Sequence, residues 1–263
     1  MLEYCTLFDA NYLAQGLALY ESISKHHEDY RLHILTLCEK SFGVLKKLGL
    51  PNIILYLAAD VETPELRSMR PRLSSSEYIW VFKPGFIMLT LLKTRHVAYV
   101  DADSYFFNTC DISSIGVDDK TPTAVTPHRF TPIHEHFAIN GAFNAGFIFA
   151  ARAGIPCLKD WNHRCIADRR GIITDQVHLN NWPEQWGAHI IRHKGINLAP
   201  WNQAGQYRYS VRKGQVYVDD DPLIWYHFHQ GLKPSYNLAP FVRTYIYEPY
   251  REALGRAREI AHL

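Results

Sequence analysis

Two aspartates two residues apart, Asp101 and Asp103, follow the apolar run Val97-Ala-Tyr-Val100 within HVAYVDADSYFF at residues 96–107. A short continuous apolar run suits a strand buried on both faces of a parallel sheet, which puts the pair at the carboxyl end of a strand. In open α/β sheets, ligands bind outside that end. Extended backbone points residues two apart to the same side, and Ala102 between them is small, so both carboxylates can reach one cation. Hard oxygen ligands with open positions suit Mg²⁺ or Mn²⁺ bridging to phosphate oxygens, rather than zinc. An Asp-x-Asp alone is commonly a solvated turn. This one lies between a buried strand and the aromatic run Tyr105-Phe-Phe107, a context that favours chemistry.

Other residues could serve the same centre. His227 closes an apolar run in Tyr226-His-Phe-His-Gln-Gly-Leu-Lys-Pro234, six residues before Lys233. A neutral imidazole can complete a ligand set, and a lysine can balance phosphate charge. Lys83 sits inside the apolar, aromatic segment 77–92 and needs an anionic partner, which phosphates held at Asp101 and Asp103 would supply. Asn144 and Gly146 interrupt the apolar run 143–150. Glycine inside a strand marks a close approach by a ligand or another backbone, and a buried asparagine needs partners such as a sugar hydroxyl. Asp175 and Gln176 open a predicted helix, either as an N-cap or as a carboxylate and an amide facing a cleft. His134-Glu-His136 lacks the spacing of a zinc helix and reads as loop.

These groups must be carried by a regular framework. Residues 3–8 read as a strand, 9–12 as a turn opening a helix with Leu13, Leu17, Tyr20 and Ile23 on one face, 31–37 as a strand, 41–48 as a helix and 52–57 as a strand. That β-α-β-α-β order predicts a parallel sheet with right-handed crossovers. No GxGxxG follows the first strand, so a dinucleotide cofactor is unsupported. Residues 61–76 read as a surface loop and 77–92 as a buried helix with Pro84 near its first turn. Further on, 123–126, 143–150 and 188–193 read as strands, 155–167 as a helix and 197–202 as a structured loop. Residues 215–218 and 223–228 read as a β pair about the acidic turn 219–221. The tail, 247–263, reads as a basic amphipathic helix that packs on the body of the protein rather than anchoring it to a membrane.

Composition narrows the function class. A formal charge of +2, with no arginine-rich helix, argues against a nucleic-acid partner. Hydrophobic residues at 47% and charged residues at 21% are a soluble, globular balance. Five cysteines without a CxxC pair, four of them among apolar neighbours, read as reduced thiols. The opening has no signal-peptide pattern and no apolar stretch is long enough to span a bilayer. The expected location is therefore cytoplasmic, with docking at the inner membrane surface left open.

Together these residues resemble the metal-dependent glycosyltransferases of the GT-A fold, in particular the family 8-like group of glycogenin and the bacterial lipopolysaccharide glucosyl- and galactosyltransferases. The likeness runs from the first strand to Pro234. It is similar again to uncharacterised bacterial glycosyltransferases with YxDAD-x-YFF, TPHRF, NLAPWN and HFH-x-xLKP patterns. The resemblance implies an α/β fold with a Rossmann-like, mostly parallel sheet flanked by helices. It also implies a single domain, 1–263, with a nucleotide-binding half, 1–107, and an acceptor half with the C-terminal helix, 108–263.

The site residues follow from the same resemblance. It implies Asp101, Asp103 and His227 as ligands of Mn²⁺ or Mg²⁺, and Lys83 and Lys233 as contacts of the donor phosphates. Asn144 and Gly146 would line the sugar pocket, with Ala102 beside the donor. Asp175 and Gln176 would meet sugar hydroxyls and the reacting face, so that these two and Lys83 form the catalytic group. Thr6, Leu7, Phe8, Asp9 and Tyr12 would hold the base and ribose. One departure is that, aligned through Lys233, the glycine of the family's C-terminal motif falls on Gln230, with Gly231 next to it.

The implied activity is transfer of a hexose from a nucleotide-diphospho-sugar, a UDP-sugar, with retention of configuration, to an acceptor that the residues do not identify. The bacterial likeness points to a saccharide or lipid-linked saccharide, and a protein or small molecule would fit as well. Two alternatives stand beside it. One is a non-catalytic sugar- or nucleotide-binding protein on the same scaffold. The other is a sugar nucleotidyltransferase, which would carry a glycine-rich, arginine-containing loop where this chain has Phe8-Asp-Ala-Asn-Tyr12.

Overall fold

The computed structural model describes residues 2–118, 120–167, 175–203, 205–229, 231–232 and 238–262. The alternating opening folds as predicted, into β1 (Leu2–Phe8), α1 (Leu13–His26), β2 (Tyr30–Thr36), α2 (Glu39–Leu48) and β3 (Ile53–Leu57). Gly49 closes α2 in the left-handed conformation, φ 57°, where a side chain would be strained. The three strands are parallel, and β4 (His96–Val100) adds to β1 in the same sense. The sheet continues through β7 (Phe143–Ala151), β6 (Thr123–Pro127) and β8 (His189–Ile190), in the order β3-β2-β1-β4-β7-β6-β8. β7 is antiparallel to both of its neighbours, and the remaining strands share one direction. Its start therefore lies at the same edge as the ends of β1 and β4.

Both faces of this sheet are covered, which is why β4 is continuously apolar. Val100, Phe147 and Phe149 belong to a core completed by Leu17 of α1 and Leu254 of α9 (Glu248–Ala261). Val97, Tyr99 and Ile148 belong to a second core with Phe86 of α5 (Ser75–Leu91) and Trp161 of α6 (Ile155–Ala167). α9 packs as the sequence predicts, burying Tyr250, Ala253, Leu254 and Ala257, while Arg256 bonds Glu21 of α1. All five cysteines are free thiols, and Cys38 is half-buried where the other four are buried. No helix among the described residues is long and apolar enough to cross a membrane.

Several elements differ from the sequence reading. Residues 61–76 are not simply loop, because Thr63 caps a helical turn whose first residue is Pro64 and whose Leu66 is buried. The segment takes in the last residue of α3 (Ala58–Val61), all of α4 (Pro64–Met69) and the start of α5. Ser74 and Glu77 form a capping box that begins α5 at Ser75, so Pro84 stands inside the helix rather than near its first turn. After the short α7 (Trp182–Trp186), regular pairing in 188–193 is confined to β8.

The proposed β pair also divides. β10 (Gln215–Val218) pairs with β9 (Tyr209–Arg212) and the two-residue β11 (Asp221–Pro222). β12 (Trp225–His227) instead pairs antiparallel with β5 (Ser104–Phe106), with His227 opposite Ser104. Beyond β12 a single turn, α8 (Pro240–Val242), leads through a π-helical stretch, Arg243–Tyr247, into α9.

Phe147 is fully buried, with its ring 4.6 Å from that of Trp225, so it joins the main sheet to β12. Phe147→Ala is expected to cost about 3–5 kcal/mol of stability, read as a lowered midpoint in urea unfolding with little change in slope.

Candidate functional site

β4 ends where its hydrogen bonding changes partner. Asp101 N–H donates to the Gly146 carbonyl at 2.9 Å, and Ser104 N–H donates to the Asp101 carbonyl at 3.1 Å, which turns the chain sharply. Asp101 and Asp103 leave this turn toward one point. His227 reaches it from β12, held by its N–H on the Leu198 carbonyl at 2.8 Å and by Phe228 N–H on the Asp103 carbonyl at 2.7 Å. The three side chains offer ligand atoms that all lie within 4.8 Å of one another. His227 Nε2 is 3.2 Å from Asp103 Oδ1 and 3.8 Å from Asp101 Oδ2.

Two carboxylates and an imidazole fit a hard divalent cation such as Mn²⁺ or Mg²⁺. Burial disfavours the charged imidazole, but Asp103 and Asp101 outweigh it and the His227 pKa moves up. Burial likewise opposes ionisation of Asp103, and His227 reverses the balance so that the net shift is down. Gly146 makes the approach possible. A Cβ there would fall 2.6 Å from both His227 Cε1 and Asn144 Oδ1.

Lys83 projects from α5 beneath this cluster and is 3% exposed. Its Nζ lies 2.8 Å from Asp175 Oδ2 and 3.4 Å from Asp101 Oδ1, and donates to the Ala145 carbonyl at 3.1 Å. Burial alone would lower its pKa, yet Asp101 and Asp175 reverse the shift, so the ammonium is retained. For Asp175 burial wins, and its pKa is raised despite Lys83. Asp175 makes no side-chain cap to the following 3-10 turn, Gln176–Leu179. Of the two readings of this carboxylate, the one facing the cleft describes its position.

Beside it, Asn144 Nδ2 donates to Gln176 Oε1 at 3.4 Å and lies 3.2 Å from His128 Nε2. Asn144 Oδ1 accepts from Gly146 N–H at 3.0 Å and from Asn197 Nδ2 at 3.2 Å. Burial pushes the His128 imidazole down to about 4, so it is neutral at pH 7, and its ring stacks on Phe130 at 4.5 Å.

A cleft of about 890 Å³ opens over these groups. Leu7, Phe8, Tyr12, Lys83, Ala102, Asn144, Gly146, Asp175 and Gln176 line it together with Asp101, Asp103 and His227. Thr6 is wholly buried within β1 and is not on the wall. Asp9 is also off the wall, and its carboxylate accepts from Asn11 N–H at 2.9 Å to cap the turn before α1. Lys233 lies outside the described residues.

Sequence reasoning passed over several wall residues. Ile79 and Trp80 line the cleft but carry no signal that separates them from the core residues of α5. His134 and His136, read as loop, lie on the wall in a 3-10 run, Pro132–Asn140. Tyr99 hydrogen-bonds Asp101, and here a signal existed, because a residue two before Asp101 on a strand shares its side.

No protein-family model matches the chain. Two uncharacterized proteins of Bacillus subtilis (strain 168) are similar in sequence. YfnF is 30% identical over 279 residues, covering 95% of this chain and 91% of that protein. YfnD is 27% identical over 241 residues, covering 86% and 76%. Among solved structures, galactosyltransferase LgtC in complex with donor and acceptor sugar analogs aligns with a TM-score of 0.62 at 15% identity, over 97% of this chain and 96% of that one. The glycosyltransferase GlyE of Streptococcus pneumoniae TIGR4 aligns at 0.61 and 13% identity, over 99% of this chain and 62% of that one. The sheet and its helices are thus those of the GT-A fold.

The Lys83 cluster makes a pH-dependent prediction. Lys83→Met would leave Asp175 buried without a counter-charge, and a loss of about 3–5 kcal/mol is expected near pH 8. A carboxyl whose folded pKa is raised favours folding while protonated, and that contribution is lost as pH rises through the raised value. The deficit relative to wild type should therefore narrow between pH 8 and pH 5 in matched urea titrations. A constant deficit would remove Asp175 as its source.

Proposed function

This chain belongs to the family of the Bacillus subtilis protein YfnF, and from its fold and cleft we propose that it is a metal-dependent glycosyltransferase. It moves a hexose from a UDP-sugar to a saccharide or lipid-linked saccharide, with retention of anomeric configuration. The observation that carries this reading is the convergence of Asp101, Asp103 and His227, within 4.8 Å, at the carboxyl edge of the sheet and on the wall of an open cleft. Retention, the UDP moiety and the acceptor class rest on the likeness to family 8-like enzymes. This reading keeps the protein in the cytoplasm, at the inner membrane surface where the acceptor is lipid-linked.

Each residue has a task in this proposal. A divalent cation held by Asp101, Asp103 and His227 would supply Lewis-acid neutralisation of the departing diphosphate. Lys83 holds a permanent positive charge 3.4 Å from Asp101, on the side where negative charge grows. Lys233 is assigned a second phosphate contact. Asp175, Gln176 and Asn144 present a carboxylate and two amides to sugar hydroxyls, and their mutual hydrogen bonds and the Lys83 ion pair fix their orientation before a sugar arrives. Leu7, Phe8 and Tyr12, at and just beyond the end of β1, are assigned to the base and ribose as wall groups, while Thr6 and Asp9, which are off the wall, would act only by supporting them. LgtC was solved with donor and acceptor sugar analogs, which supports a cleft that takes both substrates.

The nucleotidyltransferase alternative is disfavoured by the segment after β1, which is a 3-10 turn, Ala10–Tyr12, capped by Asp9 rather than a glycine-rich loop. A non-catalytic binding protein is separated from the enzyme by turnover.

UDP release from a panel of UDP-sugars should require Mn²⁺ or Mg²⁺ and select one donor. Asp103→Ala should lower that rate by about three orders of magnitude, the kinetic equivalent of several kcal/mol of lost charge stabilisation. Asn144→Ala should lower it by about tenfold, as expected for one lost hydroxyl contact. Absence of binding to any sugar nucleotide, with or without metal, would overturn the assignment.

A further inference from the structure

The three ligand side chains are not equally constrained. His227 is 4% exposed and Asp103 10%, whereas Asp101 is 25% exposed, so packing restrains it least. A carboxylate torsion is also broad and nearly two-fold, which leaves the two oxygens of an unrestrained aspartate interchangeable. Asp101 nevertheless has distinct oxygens here. The Tyr99 hydroxyl donates to Oδ1 at 2.6 Å, and Lys83 Nζ approaches the same oxygen at 3.4 Å. Oδ2 is the oxygen that faces His227, 3.8 Å from Nε2.

Tyr99 is suited to this task by its place. It lies two residues before Asp101 on extended backbone, so both side chains leave the sheet on one side. Its ring is buried in the core under α5, 1% exposed, with Lys83 Nζ 5.0 Å from the ring centroid. Lys83 cannot fix the carboxylate alone, because its ammonium is shared with Asp175 at 2.8 Å and the Ala145 carbonyl at 3.1 Å. A phenylalanine would fill the same space. The hydroxyl is the part that distinguishes Oδ1 from Oδ2.

We propose that Tyr99 is a positioning residue of the metal centre, whose hydroxyl pins Asp101 Oδ1 so that Oδ2 is presented, with Asp103 and His227, to a divalent cation. This role rests on the metal site proposed above. Hydrogen bonds of this kind to metal-ligating side chains are worth roughly 10–100-fold in metal affinity.

The test titrates Mn²⁺ alone into wild type, Tyr99→Phe and Asp103→Ala, following the signal of free aqueous Mn²⁺ by electron paramagnetic resonance. Thermal unfolding of each metal-free protein is measured in parallel. Tyr99→Phe is expected to bind Mn²⁺ at least about tenfold more weakly than wild type. Its metal-free Tm should stay within about 2 °C, since water can replace the lost donor at a partly exposed carboxylate. Mn²⁺ affinity of Tyr99→Phe equal to wild type, with binding lost in Asp103→Ala, would overturn the positioning role and leave the metal site standing. Weaker binding accompanied by a large fall in metal-free Tm would reassign Tyr99 as a packing residue. A wild-type protein with no Mn²⁺ site sensitive to Asp103→Ala would overturn the metal site and this role with it.

Discussion

A lysine ammonium 3% exposed inside an aromatic helix is tolerated only where opposite charge meets it, and the site is built around that requirement. Lys83 is met by Asp101 from the end of β4 and by Asp175 from the turn after α6. One interaction thus ties a helix on one face of the sheet to a strand end and to a distant loop. The same ammonium lies within ion-pair distance of both carboxylates and so offsets part of the cost of placing them around one buried point. The alignment of the cleft follows from this cluster. Asp101 carries its neighbours Ala102 and Asp103 with it, while Asp175 carries Gln176 and, through Gln176, Asn144.

Topology brings the rest to the same place. Because β7 runs against its neighbours, Asn144 and Gly146 near its beginning stand beside the residues that end β4. Because β12 pairs with β5 instead of with β10, His227 lies across from Ser104, next to Asp103. Two departures from simple parallel order therefore deliver the amide, the glycine and the imidazole.

Much of this framework was legible in the sequence. The βαβαβ opening, the apolar β4, the strand at Phe143–Ala151 and the helix at Ile155–Ala167 announce themselves through periodicity and burial, and each is present. Asp101 and Asp103 were legible because acid at the end of an apolar strand is costly without a purpose. Lys83 was legible for the same reason, but its partners were not. An ion pair between α5 and the turn at Asp175 has no local signature. The partner of β12 was illegible as well, since a three-residue strand satisfies its hydrogen bonds with whatever tertiary structure offers. Pro84 misled because proline usually marks a helix start, whereas the Ser74–Glu77 capping box had already set one. Ile79 and Trp80 looked like core because a wall of a cleft and a core have the same composition.

The pairing of β12 with β5 also orders assembly in time. Asp101, Asp103 and Lys83 belong to the first half of the chain and can gather as soon as β1, β4 and α5 associate. His227 arrives from near the other end, seated on the Leu198 backbone and backed by Phe228, whose ring stacks on Tyr250 of α9 at 3.7 Å. These are contacts of long sequence separation, which form late because loop closure precedes their reward. A chain still being synthesised therefore exposes two acids without their imidazole. Asp101, Asp103 and His227 come together only once this C-terminal part has docked, so under the proposed metal role, competence for a cation would double as a report that folding is finished.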